Sequence, residues 1–257
     1  LIALFWLLTL ISLYPLVWLV LSSLKTSSEM FGEAWALPKT WRWSNYASAW
    51  SVGISRYLVS SVIVTGLSTL FVVLISAASA YALVVLRLPF RTGLYAMILG
   101  GLILPPEVAL FPLFRILGAL GILNTYWALI VPYTAFGIPF TTFLIRAYMV
   151  KIPPELAEAA KMDGATESQI FWRVTLPQIG TTIGVVVTTI IVLVMKVFDI
   201  VKVTTNGQFD TNVLANDMFD EAFNIRDAGV GAALAILIFV SVLPVMIGNI
   251  RKMQKEN

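Results

Sequence analysis

The sequence predicts an all-α, polytopic membrane protein with six transmembrane helices. Three observations carry that expectation. Of 257 residues, 59% are hydrophobic and only 12% charged, where a soluble domain carries about a quarter charged. The apolar residues gather into six runs, each near the roughly 20 residues an α-helix needs to cross the hydrocarbon core. Most charged residues fall between those runs. Histidine and cysteine are absent, which removes imidazole chemistry, thiolate metal ligands and disulfides. The net charge of +3 is too small to suggest nucleic-acid binding.

The first run, Leu1–Leu24, is too long for a signal peptide and lacks a small-residue cleavage site, so it reads as a span. It opens inside apolar sequence, and we expect a missing N-terminal tail before it. The polar connection Lys25–Arg56 follows, and its Trp35, Trp41, Trp43 and Trp50 suit an interfacial belt. Tyr57–Leu86 is the second span and Arg87–Arg91 a tight basic turn. Thr92–Phe114, the third span, carries Pro105, Pro106 and Pro112; Tyr126–Tyr148, the fourth, carries Pro132 and Pro139. Both are expected to be broken, as ordinary kinks or as bends around a cavity, because proline frees a backbone carbonyl. Between them lies the short Arg115–Thr125. The fifth and sixth spans are Ile179–Phe198 and Ala228–Ile250, and Arg251–Asn257 is a tail. Near the end of the fifth, Lys196 and Asp199 have the spacing of an ordinary helix pair. In the acidic connection Asp199–Asp227, the stretch Asp210–Asn224 sets Val213, Leu214, Met218, Phe219 and Phe223 at helical spacing, which predicts an amphipathic helix.

Six spans put both ends on one side, together with Arg87–Arg91 and Val150–Gln178. Lys and Arg divide almost evenly, with a slight excess on that side. The acidic residues Glu29, Glu33, Asp210, Asp217, Asp220, Glu221 and Asp227 lie on the other. Both leanings place Val150–Gln178 in the cytoplasm.

That loop is charged, long and carefully punctuated. Pro153-Pro154 suits a helix start. Glu155 and Glu158 sit toward the positive end of the helix dipole, and Leu156, Ala159 and Ala160 form a small apolar face. Gly164 suits a left-handed cap, and Thr166 suits the N-cap of a second helix that carries Ile170, Phe171 and Trp172 and stops before Pro177. The result is an elbow that fits a groove on a partner protein.

The run Glu158-Ala159-Ala160, three residues, Gly164, nine residues, Val174, one residue, Leu176-Pro177 closely resembles the EAA signature. That signature belongs to the transmembrane subunits of binding-protein-dependent ABC importers, where Ile is usual at the place of Val174. Asp163-Gly164-Ala165 is similar to a common variant of the loop. The resemblance extends to Tyr14-Pro15-Leu16-Val17-Trp18, Ser22-Ser23-Leu24-Lys25-Thr26, Leu37-Pro38, Asn45-Tyr46, Asn124-Thr125 and Ile152-Pro153-Pro154-Glu155-Leu156, which look like the maltose-type carbohydrate class. Val197-Phe198-Asp199-Ile200-Val201 with Thr204-Thr205-Asn206-Gly207 is similar instead to the α-glucoside or glucosylglycerol branch.

The resemblance implies a type I ABC importer permease fold spanning 1–257 as one domain, with a cytoplasmic coupling loop at 150–178 and an extracytoplasmic loop at 199–227. It implies that Glu158, Ala159, Ala160, Asp163, Gly164, Leu176 and Pro177 couple to a separate ATPase. The implied partners are a second homologous permease subunit, two ATPase subunits, an extracytoplasmic sugar-binding protein and membrane lipid, in the cytoplasmic membrane of a prokaryote. The chain holds no GxxxxGK[ST] phosphate loop, so it is not expected to be an enzyme; ATP and Mg belong to the partner ATPase. A sugar path needs hydroxyls and aromatic faces. Ser68 and Tyr81 lie among the Ser and Thr of the second span, Tyr133 and Thr134 in the fourth, Thr188 in the fifth. Glu107, a carboxylate within the third span, is a functional candidate by default. It suits contact with sugar hydroxyls, pairing with Arg115, or a gate. Two alternatives stay open: an ABC importer for a non-sugar solute, and a proton-coupled secondary transporter using Glu107.

Overall fold

The computed structural model describes residues 2–51, 54–86, 88–195, 198–208 and 211–256, and among them every regular element is a helix. In chain order they are α1 (Ile2–Ser22), α2 (Ser27–Gly32), α3 (Ser44–Ser51), α4 (Ile54–Val84), α5 (Arg91–Gly100), α6 (Pro106–Ala119) and α7 (Trp127–Met149). Then come α8 (Pro154–Met162), α9 (Glu167–Ile170), α10 (Leu176–Gln178), α11 (Gly180–Met195), α12 (Asp199–Thr204), α13 (Leu214–Phe219) and α14 (Ala228–Glu256). A π-helical turn, Phe171–Thr175, joins α9 to α10, and a second, Asp220–Ile225, follows α13.

Four stretches are long and apolar enough to cross a membrane: Leu4–Ser22, Tyr57–Val84, Trp127–Met149 and Ala228–Arg251. A fifth candidate is the bent pair Glu167–Gln178 and Gly180–Met195, which meet at 76°. The third expected span is not one helix. It divides into α5 and α6, because Pro105 is extended at φ −66°, ψ 134° and Pro106 opens a new helix; a residue before proline is pushed out of the α region. The fourth expected span does not break. α7 runs through both Pro132 and Pro139, and both are buried. The pair expected at Lys196 and Asp199 lies outside the described residues, as does Asp210.

The chain forms two compact units, Leu1–Val62 with Met195–Leu243, and Ile63–Val194 with Pro244–Asn257. In the first, α1 is apolar all round and exposes Phe5, Trp6, Leu10 and Ile11, as a helix in lipid does. Behind it the chain is tied by polar contacts. Lys25 is buried and its Nζ donates to the carbonyls of Glu33 and Ala34 at 3.3 and 3.1 Å. Asn45 Nδ2 donates to the carbonyls of Ser23 and Lys25, both at 2.9 Å. A Cβ at Gly229 would meet the Lys25 carbonyl at 2.4 Å, so only glycine admits this approach. The core joins Ala49, Leu214, Ala215, Val230, Ala233, Leu234 and Ile238. The expected amphipathic helix forms as α13 and its π turn, with the Phe219 ring tilted against those of Phe198 and Phe223 at 4.4 and 4.9 Å between centroids. Trp35, Trp41, Trp43 and Trp50 are all exposed.

In the second unit, α4 and α7 approach through small residues, as helices in membranes do. A Cβ at Gly137 would meet Val72 at 2.7 Å, and Ser76 Oγ donates to the Ile138 carbonyl at 3.3 Å. A Cβ at Gly101 would meet Pro139 at 2.8 Å. The α5–α6 break is thus packed against α7.

Candidate coupling site

The elbow is built from local chain chemistry. Pro153 caps α8, Pro154 occupies its first turn and Glu155 sits there beside the free N–H groups. At the other end the chain closes a Schellman motif: Ala165 N–H donates to the Ala160 carbonyl and Gly164 N–H to that of Lys161, both at 3.0 Å. Gly164 takes φ +80°, and a Cβ there would meet nothing within 4 Å. The requirement for glycine is therefore one of backbone conformation, worth about 1–2 kcal/mol against other residues. Thr166 caps the second arm as expected, with a capping box: Gln169 N–H donates to Thr166 Oγ1 at 3.3 Å, and Thr166 N–H to Gln169 Oε1 at 2.8 Å. The second arm does not stop before Pro177. It continues to Gln178, because Pro177 falls in the first turn of α10, where its missing N–H is tolerated.

No residue of α8 is buried. Glu158, Ala159, Asp163 and Gly164 are exposed, and Ala160 is half-buried. Met162 is 84% exposed, so an apolar side chain stands open beside the glycine turn. Leu176 and Pro177 lie at the far end of the second arm, half-buried and exposed respectively. A cavity of about 290 Å³ lies where the elbow meets the helix ends, lined by Leu156, Glu158 and Lys161 of α8, by Val174 and Thr175 of the second arm, and by Val84, Arg91 and Met149 of α4, α5 and α7.

Sequence reasoning missed the contact that ties this elbow to a span. Lys161 Nζ donates to Glu167 Oε1 at 2.6 Å, and Tyr81 Oη donates to Glu167 Oε2 at 2.7 Å. The Tyr81 ring also meets Phe171 edge-on at 5.2 Å. The Lys161 hydrogen bond, then that of Tyr81, hold the Glu167 carboxyl below the ordinary glutamate range. One carboxylate thereby bridges α8, the second arm and the α4 span. Ile170, fully buried, anchors the second arm. Tyr81, one of the hydroxyls considered for a sugar path, lies near the end of α4 and gives its hydroxyl to this carboxylate.

The candidate path residues fall in different environments. Glu107 is exposed in the first turn of α6, where the helix dipole favours it, and makes no ion pair among the described residues. Ser68 and Thr134 are buried, and their hydroxyls have no hydrogen-bond partner among the described residues. Thr188 Oγ1 bonds back to the Gly184 carbonyl at 3.0 Å. Tyr133 is half-buried. No group of three or more acidic residues among the described residues is arranged to hold a metal ion.

Residues 73–250 match the family described as the binding-protein-dependent transport system inner membrane component. The chain is 34% identical over 239 residues to the diacetylchitobiose uptake system permease protein NgcG of Streptomyces coelicolor, covering 92% of this chain and 78% of that protein. It is 48% identical over 164 residues to the probable ABC transporter permease protein YurM of Bacillus subtilis, covering 64% of this chain and 55% of YurM. Its fold is similar to that of a chain in the crystal structure of a bacterial ABC transporter involved in import of the acidic polysaccharide alginate. There the TM-score is 0.79 at 19% identity, over 98% of this chain and 93% of that one. The chain belongs to the family of inner membrane components of binding-protein-dependent transport systems.

Proposed function

We propose that this chain is the membrane-spanning subunit of an ATP-driven importer of a di- or oligosaccharide or glucoside, forming half of a translocation pore. The observation that carries the reading is the exposed elbow of α8 and the second arm, tied to α4 through Glu167. A capped, exposed knob of this kind suits insertion into a groove of a separate ATPase. Residues 1–257 act as one permease domain, with 150–178 as the coupling loop in the cytoplasm and 199–227 outside. The sugar class is supported by NgcG, whose name gives diacetylchitobiose uptake.

In this mechanism the ATPase holds ATP and Mg and grips Glu158, Ala159, Ala160, Asp163 and Gly164. Leu176 and Pro177 brace the second arm. Closure of the two ATPase subunits displaces α8. Lys161 draws Glu167 with it, and Glu167 pulls on Tyr81 and hence on α4. The spans rock against a second, homologous permease and admit sugar from an extracytoplasmic binding protein. Glu107 is the exposed carboxylate among the path candidates, and Ser68, Tyr133, Thr134 and Thr188 are the others. Uptake of labelled glucosides and chitobiosides by cells carrying or lacking the chain tests this. Uptake should follow ATP supply and survive collapse of the proton gradient. Uptake that vanishes with the gradient while ATP persists would favour proton coupling instead.

A further inference from the structure

The second unit holds a basic cavity that the coupling mechanism does not use. It measures about 420 Å³, within the range of ligand pockets. Its polar lining is Arg91, Thr92 and Tyr95 of α5 and Arg146 of α7; its apolar lining includes Leu83 and Val84 at the end of α4 and Val150. No carboxylate lines it, and neither arginine forms an ion pair among the described residues. Arg146 is held in place, its guanidinium carbon 4.2 Å from the centre of the Tyr95 ring. Its Nε is buried with no hydrogen-bond partner among the described residues. The cavity therefore offers two cations and an unused donor beside an apolar wall.

Its place at the helix ends points to one kind of ligand. It lies where α4 and α7 end and α5 begins, at the connections Arg87–Arg91 and Val150–Gln178. Tyr148 stands beside it in sequence, with Lys151 Nζ 4.9 Å from its ring centre; tyrosine and snorkelling lysine mark the headgroup level. Guanidinium forks match phosphate oxygens in pairs, and basic pockets between spans on the cytoplasmic side hold anionic headgroups. We propose that this cavity binds the phosphate of an anionic phospholipid from the cytoplasmic leaflet, with its glycerol and first acyl carbons on Leu83, Val84 and Val150. Pro154, the first residue of α8, lines the same cavity, so the lipid touches the elbow and its presence steadies it. The choice of leaflet rests on the topology proposed above.

The test is native mass spectrometry of the full chain with whatever co-purifies, released from nanodiscs of phosphatidylglycerol mixed with phosphatidylcholine. Wild type should retain phosphatidylglycerol over phosphatidylcholine by roughly tenfold or more, given about 1 kcal/mol per surface cation. The double substitution Arg91→Gln, Arg146→Gln should bring that ratio near one, and Arg91→Lys, Arg146→Lys should keep most of it. A wild-type chain without preference overturns the proposal even if the glutamine variant fails to fold. So does a well-folded glutamine variant that keeps the preference. Glycerol 3-phosphate that displaces the lipid at equal strength would also overturn it, by assigning the cavity to free phosphate esters. Lipid retention depends on neither ATP hydrolysis nor sugar uptake, so its failure leaves the importer reading standing, and loss of that reading leaves the retention standing.

Discussion

Carboxylates meet opposite fates at the elbow and in the 199–227 segment. At the elbow, Glu167 is exposed, bonded to Lys161 and Tyr81, and held below its ordinary range. In the other region, Asp217 and Glu221 are each only 6% exposed. Burial, then the charges of Glu221 and Asp220, push Asp217 up to about 6. Burial, then Asp227 and Asp220, push Glu221 up as well. The difference separates a joint from a seam. The elbow leaves its helix uncovered and keeps its charge satisfied from one side, as a surface awaiting a partner does. The other segment presses α13 into the chain's own core at Leu214 and Ala215, and among the described residues its acids lose water without gaining cations, except where Lys202 meets Asp220 at 2.8 Å.

The largest effect that would break this comparison lies at the joint. Tyr81→Phe keeps the ring on Phe171 but removes the hydroxyl from Glu167. A hydrogen bond to a charged group contributes roughly 1.5–3 kcal/mol, less here because Glu167 is partly in water. Sugar uptake per ATP hydrolysed should fall roughly threefold to tenfold, with ATPase binding intact. Unchanged transport stoichiometry would remove Glu167 from the relay.

The seam responds to pH in a direction that can be worked out. An ordinary aspartate titrates at 3.8 and Asp217 at about 6, so the folded chain holds this proton more tightly than the unfolded chain. The stabilisation is complete below the unfolded value and is lost as pH rises through about 6. Thermal unfolding should come a few degrees higher at pH 5 than at pH 8, and Asp217→Asn should raise the pH 8 value and flatten the profile. A lower midpoint for that variant at pH 8 would show that Asp217 is needed ionised. Glu107 gives the smallest effect. Since it is exposed and unpaired among the described residues, Glu107→Gln should leave stability unchanged and raise the uptake KM about twofold if it touches sugar, the weight of a solvated hydrogen bond.

How much of this was legible follows from the range of each interaction. α1, α4, α7 and α14 follow from apolar length alone. The elbow follows from Pro153-Pro154, Gly164 and Thr166, whose effects reach only a few residues. Pro105-Pro106 broke its span as the sequence warned, yet Pro132 and Pro139 did not break α7. Pro105 stands directly before another proline and is held extended, whereas the lone Pro112, Pro132 and Pro139 stay inside α6 and α7. The link between Tyr81 and Glu167 crosses 86 residues, and no periodicity or spacing points to it. The same holds for the cavity between Arg91 and Arg146, whose side chains only the packing of α5 on α7 brings together.

We propose above all that the α8 elbow is a socketed joint for an ATPase. The direct measurement is co-purification: the tagged chain is drawn gently from its native membrane as wild type and as Gly164→Trp. At φ +80° a tryptophan costs about 1–2 kcal/mol in backbone strain, and with open space around Gly164 its ring projects where the partner must sit. An ATPase should accompany the wild-type chain and be lost from a variant that remains folded and membrane-inserted. A chain that carries no ATPase, or a variant that keeps its ATPase and transports normally, would contradict it.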